Sequence, residues 1–175
     1  MEQGYIMRAG TINYGLSEED IYDSVRSFLS MFYCGPIING NQNAPLPSDC
    51  IVITMLLRKS LSLPSTTYSK DNETETSRRT QLVIFQVDIY GKHAMSVYDS
   101  IVVLSMNPTS YFCQSEDVES ISLARINERG RLPFVNEQRN YENRYTLDME
   151  FTIYNEISRE TEFIDTINVQ TIEVK

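Results

Sequence analysis

The hydrophobic pattern predicts a first helix over residues 17–33, SEEDIYDSVRSFLSMFY. Ser17 can cap this helix, because its hydroxyl can accept a hydrogen bond from a free backbone N–H, and three acidic residues follow at the positive end of the helix dipole. Apolar side chains then recur at helical spacing, at Ile21, Val25, Phe28, Leu29 and Phe32. We expect this stripe to pack in a core, and Gly35-Pro36 to end the helix.

Period-two patterns predict strands over residues 50–63, 80–90, 120–126 and 143–154. The last has the clearest alternation, so we expect a half-buried antiparallel strand with one face in water. Its apolar positions are Tyr145, Leu147, Met149, Phe151 and Ile153. Its other positions are Arg144, Thr146, Asp148, Glu150, Thr152 and Tyr154. A weaker alternation predicts a C-terminal strand or arm over about 160–175.

Three polar segments are interpreted as loops. Residues 35–49, GPIINGNQNAPLPSD, contain three prolines and are rich in turn residues. Residues 64–79, PSTTYSKDNETETSRR, lack apolar spacing and are expected to form the long, mobile tip of a hairpin between strands 50–63 and 80–90. A loop of this length is more often functional than idle. Residues 127–142 are expected to form a polar connector.

After Gly91 the pattern changes to a helical period over about 93–106, and Asn107-Pro108 ends this second helix. The side expected to face the core carries Ala94, Val97, Tyr98, Ile101, Leu104 and Ser105. Because strands and helices do not strictly alternate, the predicted fold class is α+β, with a mainly antiparallel sheet and two helices packed on one face. We expect a single domain over 1–175, with its core at about 17–155.

The chain has 24 acidic and 15 basic residues among 175, a formal net charge of −9. This balance disfavours binding to duplex nucleic acid through its phosphates, which requires a basic face, and it also disfavours an anionic membrane surface. An acidic protein can still surround DNA without holding it, although solubility alone also explains the charge. Eleven tyrosines suit either subunit interfaces or the rim of a core.

The cysteines and the N-terminus indicate an intracellular protein. Cys34, Cys50 and Cys113 include no C-x-x-C pair, and they suit a reducing compartment as small buried apolar groups. The N-terminus lacks the basic and apolar regions of a signal peptide. The longest apolar run, residues 50–57, is too short to span a bilayer.

Catalytic chemistry finds little support in the residues. The single histidine, His93, has no nucleophile or motif beside it and is expected to face solvent. The carboxylates at positions 18, 19, 20 and 23 are better explained as an acidic first turn than as a metal cluster. Asp88, inside a predicted strand, is expected near the strand end, either wetted or paired. We therefore expect no enzyme activity, no metal and no cofactor.

Two segments carry a family resemblance. Residues 85–104, FQVDIYGKHAMSVYDSIVVL, resemble a pattern of tailed-phage neck and tail-terminator proteins, in which a strand ending in Q-V-D-x-Y-G leads into an amphipathic helix. Residues 131–154, RLPFVNEQRNYENRYTLDMEFTIY, resemble the second hallmark of that family, a loop with a proline that leads into a long strand. With the first helix and the hairpin, the resemblance covers most of residues 17–155.

The resemblance implies a virion structural protein of the phage neck, made in the cytoplasm of the host bacterium. Such a tail terminator assembles as a ring, usually a hexamer, that caps the tail tube and stops its polymerisation. The ring joins the tube to the head-completion or connector proteins, and DNA passes through it without sequence-specific binding. The alternative from the residues is a monomeric cytosolic binding or regulatory module that uses residues 64–79 for recognition.

The expected contact residues combine the polar segment 64–79, arginines among acidic residues, and the C-terminal strand. Lys70, Arg78 and Arg79 are the only local basic cluster, which either contacts a partner or is simply solvated. The candidate interaction residues are Tyr68, Lys70, Arg78, Arg79, Arg139, Arg144, Ile167 and Val169.

Overall fold

The structure is a computed structural model of the chain. It describes residues 12–13, 15–41, 45–71, 73–105, 121–132, 134–135 and 141–161. The strands are β1 (Ile12–Asn13), β2 (Ile37–Asn39), β3 (Cys50–Ser60), β4 (Ser65–Ser69), β5 (Thr74–Tyr90), β6 (Ile121–Arg131), β7 (Phe134–Val135), β8 (Tyr141–Glu142) and β9 (Arg144–Glu160). The helices are α1 (Glu18–Ser30) and α2 (Ala94–Ser105).

The start of α1 follows the predicted capping chemistry. The Asp20 backbone N–H donates to Ser17 Oγ at 3.1 Å, and the Ser17 N–H donates to Asp20 Oδ2 at 2.8 Å. These two bonds form a capping box, which satisfies backbone donors that the first helical turn leaves free. The hydrogen bonds from Ser17 also lower the pKa of the Asp20 carboxyl. The predicted N-terminus of α1 is confirmed.

The sheet is built around β5 and β9, which pair antiparallel along their whole lengths, from Thr74–Glu160 to Tyr90–Arg144. β3 pairs antiparallel with β5, as expected for the two strands of a hairpin, and β6 pairs antiparallel with β9. β2 pairs parallel with β3, so the sheet is mixed. The loop expected over residues 35–49 is therefore wrong at Ile37–Asn39, where two isoleucines in a partly buried position add a short edge strand.

One hydrophobic cluster contains residues of both helices and of the strands. Tyr22 and Phe28 of α1 make edge-to-face contacts with Phe85 and Phe151, at centroid distances of 5.1 and 5.9 Å. Tyr98 of α2 contacts the Tyr145 ring at 5.6 Å. We call this side of the sheet the core face. Its β5 and β9 residues are Val83, Phe85, Val87, Ile89, Tyr145, Leu147, Met149, Phe151 and Ile153.

Two details of the predicted burial are wrong. The other face of β9 is polar but not fully wet, because Thr146 and Asp148 are only 1% and 8% exposed within a hydrogen-bonded network. Leu104, expected on the buried side of the second helix, is 49% exposed. The helical period alone could not place Leu104, because α2 is apolar on most of its circumference.

Residues 64–79 form strands, and the expectation of a structureless loop is wrong. β4 pairs antiparallel with the start of β5, from the pair Ser65 and Arg78 to the pair Ser69 and Thr74. This pairing leaves only a short turn between the two strands. This segment contains four threonines and one tyrosine, and β-branched and aromatic residues are enriched in strands. The predicted connector 127–142 is likewise wrong, because β6 continues to Arg131 and the short strands β7 and β8 lie within the same range.

Gly91 sets the path of the chain from β5 into α2. Its φ of +114° lies in a region that side chains disfavour, and a Cβ at this position would collide with Asp49. Asp49 Oδ1 accepts a hydrogen bond of 3.0 Å from the Lys92 backbone N–H. The glycine therefore allows a close approach between the Asp49 carboxylate and the turn.

Candidate interaction surface

The pair β5–β9 continues past the core as a four-stranded extension, which we call the arm. It consists of β1, β4, residues 74–80 of β5 and residues 154–160 of β9. The last rung with buried side chains joins Gln81 and Ile153, at the base of the arm. Seven residues at about 3.4 Å each give the arm a length of roughly 24 Å.

The arm has no hydrophobic core of its own. Every described residue of its four strands is exposed or half-buried. A small sheet without a packed face is only marginally stable in water, so the backbone pairing with the body of the sheet holds the arm in place. Such a projecting sheet presents both of its faces to whatever lies beside the protein.

Two ion pairs connect β5 and β9 within the arm. Arg78 lies opposite Glu156 in the register, with Nε to Oε2 at 2.5 Å, and Arg159 lies opposite Glu75, with Nη2 to Oε2 at 2.5 Å. The hydrogen bond that Glu156 accepts raises the pKa of Arg78. In each pair at least one of the two side chains is exposed to solvent. The pairs therefore specify the register of the strands more than they add to stability.

The two faces of the arm differ in chemistry. Tyr68, Glu75, Arg159 and Ile12 are partners in successive strands and form one row across the arm. This row continues the core face, and we call it, together with Arg79 and Ile157, the front face of the arm. The opposite face of the arm carries Tyr154, the Arg78–Glu156 pair and the hydroxyl side chains of Ser65, Thr67, Ser69, Thr74, Thr76, Thr80 and Ser158.

The front face has the side-chain types that dominate binding energy at interfaces. Tyr68 is 64% exposed, Ile12 is 45% exposed and Ile157 is 41% exposed, although each is largely apolar. Interface hot spots are enriched in aromatic residues and arginine. The front face of the arm is therefore the candidate interaction surface.

The structure brings four of the candidate residues together on the arm. Tyr68 and Arg79 lie on the front face, Arg78 lies on the opposite face, and Lys70 is exposed in the turn after β4. Arg144 lies far from them, at the other end of β9. The candidates Arg139, Ile167 and Val169 fall outside the described residues.

Arg144 takes part in a polar network on the face opposite the core. Its Nε donates to Asp88 Oδ1 at 2.9 Å, and its guanidinium lies 6.0 Å from the centre of the Tyr90 ring. Asp88 Oδ1 also accepts from Thr146 Oγ1 at 2.6 Å, and Oδ2 accepts from Gln86 at 2.7 Å. Asp88 was expected to be either wetted or paired, and the structure shows that it is paired. The network connects β5 to β9.

The sequence did not single out Glu75, Glu156, Arg159, Ile12 or Ile157 of the arm. The period-two pattern of β9 continues beyond Tyr154 at Ile157 and Arg159, although the residues around them are mostly polar. That continuation was the available signal for a longer strand. The two ion pairs join residues 78 and 84 positions apart along the chain, so no local pattern indicates them.

Other potential sites are modest. A small open cleft of about 210 Å³ is lined by Glu18, Glu19, Tyr22, Asn39 and Asn41. Among the described residues, no group of three or more His, Cys, Asp or Glu side chains is placed to hold a metal ion. His93 is exposed just before α2. In the same described part of the chain, no helix is long and apolar enough to cross a membrane.

The cysteines only partly follow the expectation that all three are buried. Cys50 is buried at the start of β3, but Cys34 is exposed after α1, so burial does not apply to it. Cys113 lies outside the described residues. The short turn that follows α1 brings Cys34 to the surface.

Comparison with known families gives a match over most of the chain. A family model described as phage neck terminator protein matches residues 19–175, which is most of the chain. The matched range includes all but the first residue of α1, the whole of α2 and β9, and most of the arm. No curated protein matches the chain. The resemblance noted at residues 85–104 and 131–154 is confirmed.

Proposed function

We propose that this chain, which belongs to the phage neck terminator protein family, forms a ring that caps the tail tube of the phage. Membership of the family supports a structural role in the neck of the virion and contacts with other tail or head proteins. The ring of six copies, the capping of the tube and the junction with the head connector are the finer parts of the proposal. The role is structural and requires no catalysis.

The arm is the observation that carries the proposal. It extends roughly 24 Å beyond the core, exposes both faces and presents Tyr68, Ile12 and Ile157 on one of them. A surface of this kind on one end of a subunit, facing a different surface on the next subunit, generates a closed ring when the rotation between copies closes. The arm supports assembly through contacts between copies.

A ring of this kind stops tube growth if its two sides differ. One side binds the last ring of tail tube protein, and the other side binds the head-completion or connector protein but no further tube subunit. DNA passes through the bore without sequence-specific binding. The net charge of −9 suits such a channel, because like charge keeps a passing duplex from adhering.

The proposed contacts include residues at several places in the chain. On the arm they are Tyr68, Lys70, Arg78 and Arg79. Arg144 in the body, Arg139, and the C-terminal residues Ile167 and Val169 are proposed as further contacts with neighbouring copies or the tube. We propose that the protein reaches the virion neck after synthesis in the host cytoplasm.

Arrest of tube polymerisation tests the proposed function. We expect the protein, added to polymerising tail tube subunits, to shorten the tubes in proportion to its concentration, as measured by electron microscopy. Tyr68→Asp, on the front face, is expected to require at least tenfold more protein for the same shortening, because a charge replaces an interface aromatic.

Thr67→Asp is the matched control, since Thr67 is the exposed neighbour of Tyr68 in β4 and faces the other side of the arm. It introduces the same charge, and we expect it to arrest tubes like the unmodified chain. Tubes of unchanged length at every concentration of the unmodified protein would contradict the proposed function. If the two substitutions had equal effects, the front face of the arm would not be the surface that arrests tube growth.

A further inference from the structure

We propose that the front face of the arm docks on the outer face of α2 in a second copy of this chain. The inference rests on the proposed ring and assigns the contact between its subunits. The outer face of α2 is defined by Met95, Asp99, Val103 and Leu104. The contact joins two different surfaces of the chain, and in the proposed ring it is heterologous, because each copy donates its arm to one neighbour and receives the arm of the other.

The outer face of α2 is apolar and exposed. Met95, Asp99 and Val103 are spaced four residues apart and lie on one stripe of the helix. Met95 is 57% exposed and Val103 is 67% exposed, and Leu104 beside them is 49% exposed. The opposite side of the same helix supplies buried residues to the core. Exposed apolar stripes of this kind mark surfaces that another protein covers.

The two surfaces match in length and polarity. A helix of 12 residues is about 18 Å long, and the arm is roughly 24 Å long. Both surfaces carry large exposed apolar side chains, with Tyr68, Ile12 and Ile157 on the arm. The Glu75–Arg159 pair on the arm is already neutral, so covering it leaves no net charge buried.

Apart from the Glu75–Arg159 pair, each surface carries one exposed charge, and the two signs are opposite. Arg79 lies on the front face of the arm, and Asp99 lies in the middle of the α2 stripe. Neither forms an ion pair with another described residue. A cation on one apolar surface and an anion on the other, neither paired within the described part of the chain, are complementary, which favours the correct register and orientation of docking.

The positions of the two surfaces favour a second copy as the partner. The arm extends from the N-terminal end of β5, whereas α2 begins just after the C-terminal end of β5. Two surfaces at opposite ends of the subunit join copies head to tail. When each copy docks its arm on the next copy and not back on the first, repetition of the contact produces a closed ring or a filament.

A charge swap between the two surfaces tests the inference. The variants are Arg79→Asp and Asp99→Arg in the full chain, and ring formation is measured by light scattering and by electron microscopy, in solution and on tail tubes. We expect each variant alone to lose the ring, because every contact then pairs two like charges. An equimolar mixture is expected to restore it, because the variants alternate around a ring of even number and every contact again joins opposite charges.

Lys59→Asp is the matched control, because Lys59 is an exposed cation of β3 that pairs with Leu82 and lies on the side of the sheet opposite the front face. We expect it to keep the ring, and circular dichroism checks that all variants fold. Rings formed by either single variant, or no recovery in the mixture, would overturn the inference and leave the proposed function standing. If Asp99→Arg formed a normal ring that no longer bound tubes, α2 would contact the tube and not a second copy, and the inference would again be overturned. No ring from the unmodified chain, even on tubes, would overturn both proposals.

Discussion

Phe151→Ala is expected to lower the free energy of unfolding by about 3–5 kcal/mol, the usual cost of deleting a fully buried aromatic ring. Phe151 is fully buried, and its ring contacts Phe28 of α1 at 5.9 Å and Phe85 of β5 at 6.2 Å. The substitution therefore opens a cavity where the helix meets the two longest strands. Urea unfolding followed by circular dichroism measures the loss.

Tyr154→Ala is the control for Phe151→Ala. Tyr154 lies three residues further along β9, on the opposite face, and is 59% exposed. An exposed residue of this kind is expected to change stability by no more than about 0.5–1 kcal/mol. A loss below about 1 kcal/mol for Phe151→Ala, or equal losses for the two variants, would show that the core is not organised around this ring.

Asp88→Ala is expected to cost about 3 kcal/mol, because it removes the common acceptor of a buried network. The Asp88 side chain is only 7% exposed and accepts hydrogen bonds from Arg144, Thr146 and Gln86. Without it, the Thr146 hydroxyl remains buried and the Arg144 guanidinium, 23% exposed, keeps only partial access to water. Thermal and urea unfolding measure the effect.

Two further variants serve as controls for Asp88→Ala. Asp88→Asn keeps an oxygen that can accept from Thr146 and is expected to cost less than Asp88→Ala. Asp71→Ala removes an exposed carboxylate in the turn of the arm, and its expected effect is within about 0.5 kcal/mol. If Asp88→Ala were as mild as Asp71→Ala, the network would not contribute to the pairing of β5 with β9.

The predictable part of the fold is the part in which apolar spacing and burial coincide. The alternation from Tyr145 to Ile153 identifies β9 and its core face, because one face of that strand is filled by helix residues. Ser17 identifies the start of α1 through local capping chemistry. Each of these two signals is local, because the residues that make it up lie within a few positions of one another.

The arm escapes this kind of prediction for a physical reason. β5 pairs with β9 across some 80 positions, and β4 pairs with β5 across only 5–13 positions. In both cases the bonds join backbone groups, so no side chain of the arm needs to be apolar to make them. Residues 64–79 therefore have the composition of a loop and the structure of a hairpin. The parallel strand β2 is missed similarly, because three residues between turn signals carry too short a pattern.

The candidate surface was predictable only in outline. The sequence indicates that residues around Tyr68 and Arg79 are exposed and polar, which places them among candidate contacts. It does not indicate that Ile12 and Ile157 join them, since these residues meet only through the register of four strands. The apolar outer face of α2 is also hidden from the sequence, because the same helix has apolar residues on its buried side.

The most direct test of the proposed function is an image of the protein at the end of a tail tube. Tubes incubated with the purified chain are examined by cryo-electron microscopy, and the protein alone is examined by light scattering. The proposal predicts a ring of six copies on one end of each tube, with an open bore. Bare tube ends at saturating protein, together with a single-chain mass in solution, would contradict it.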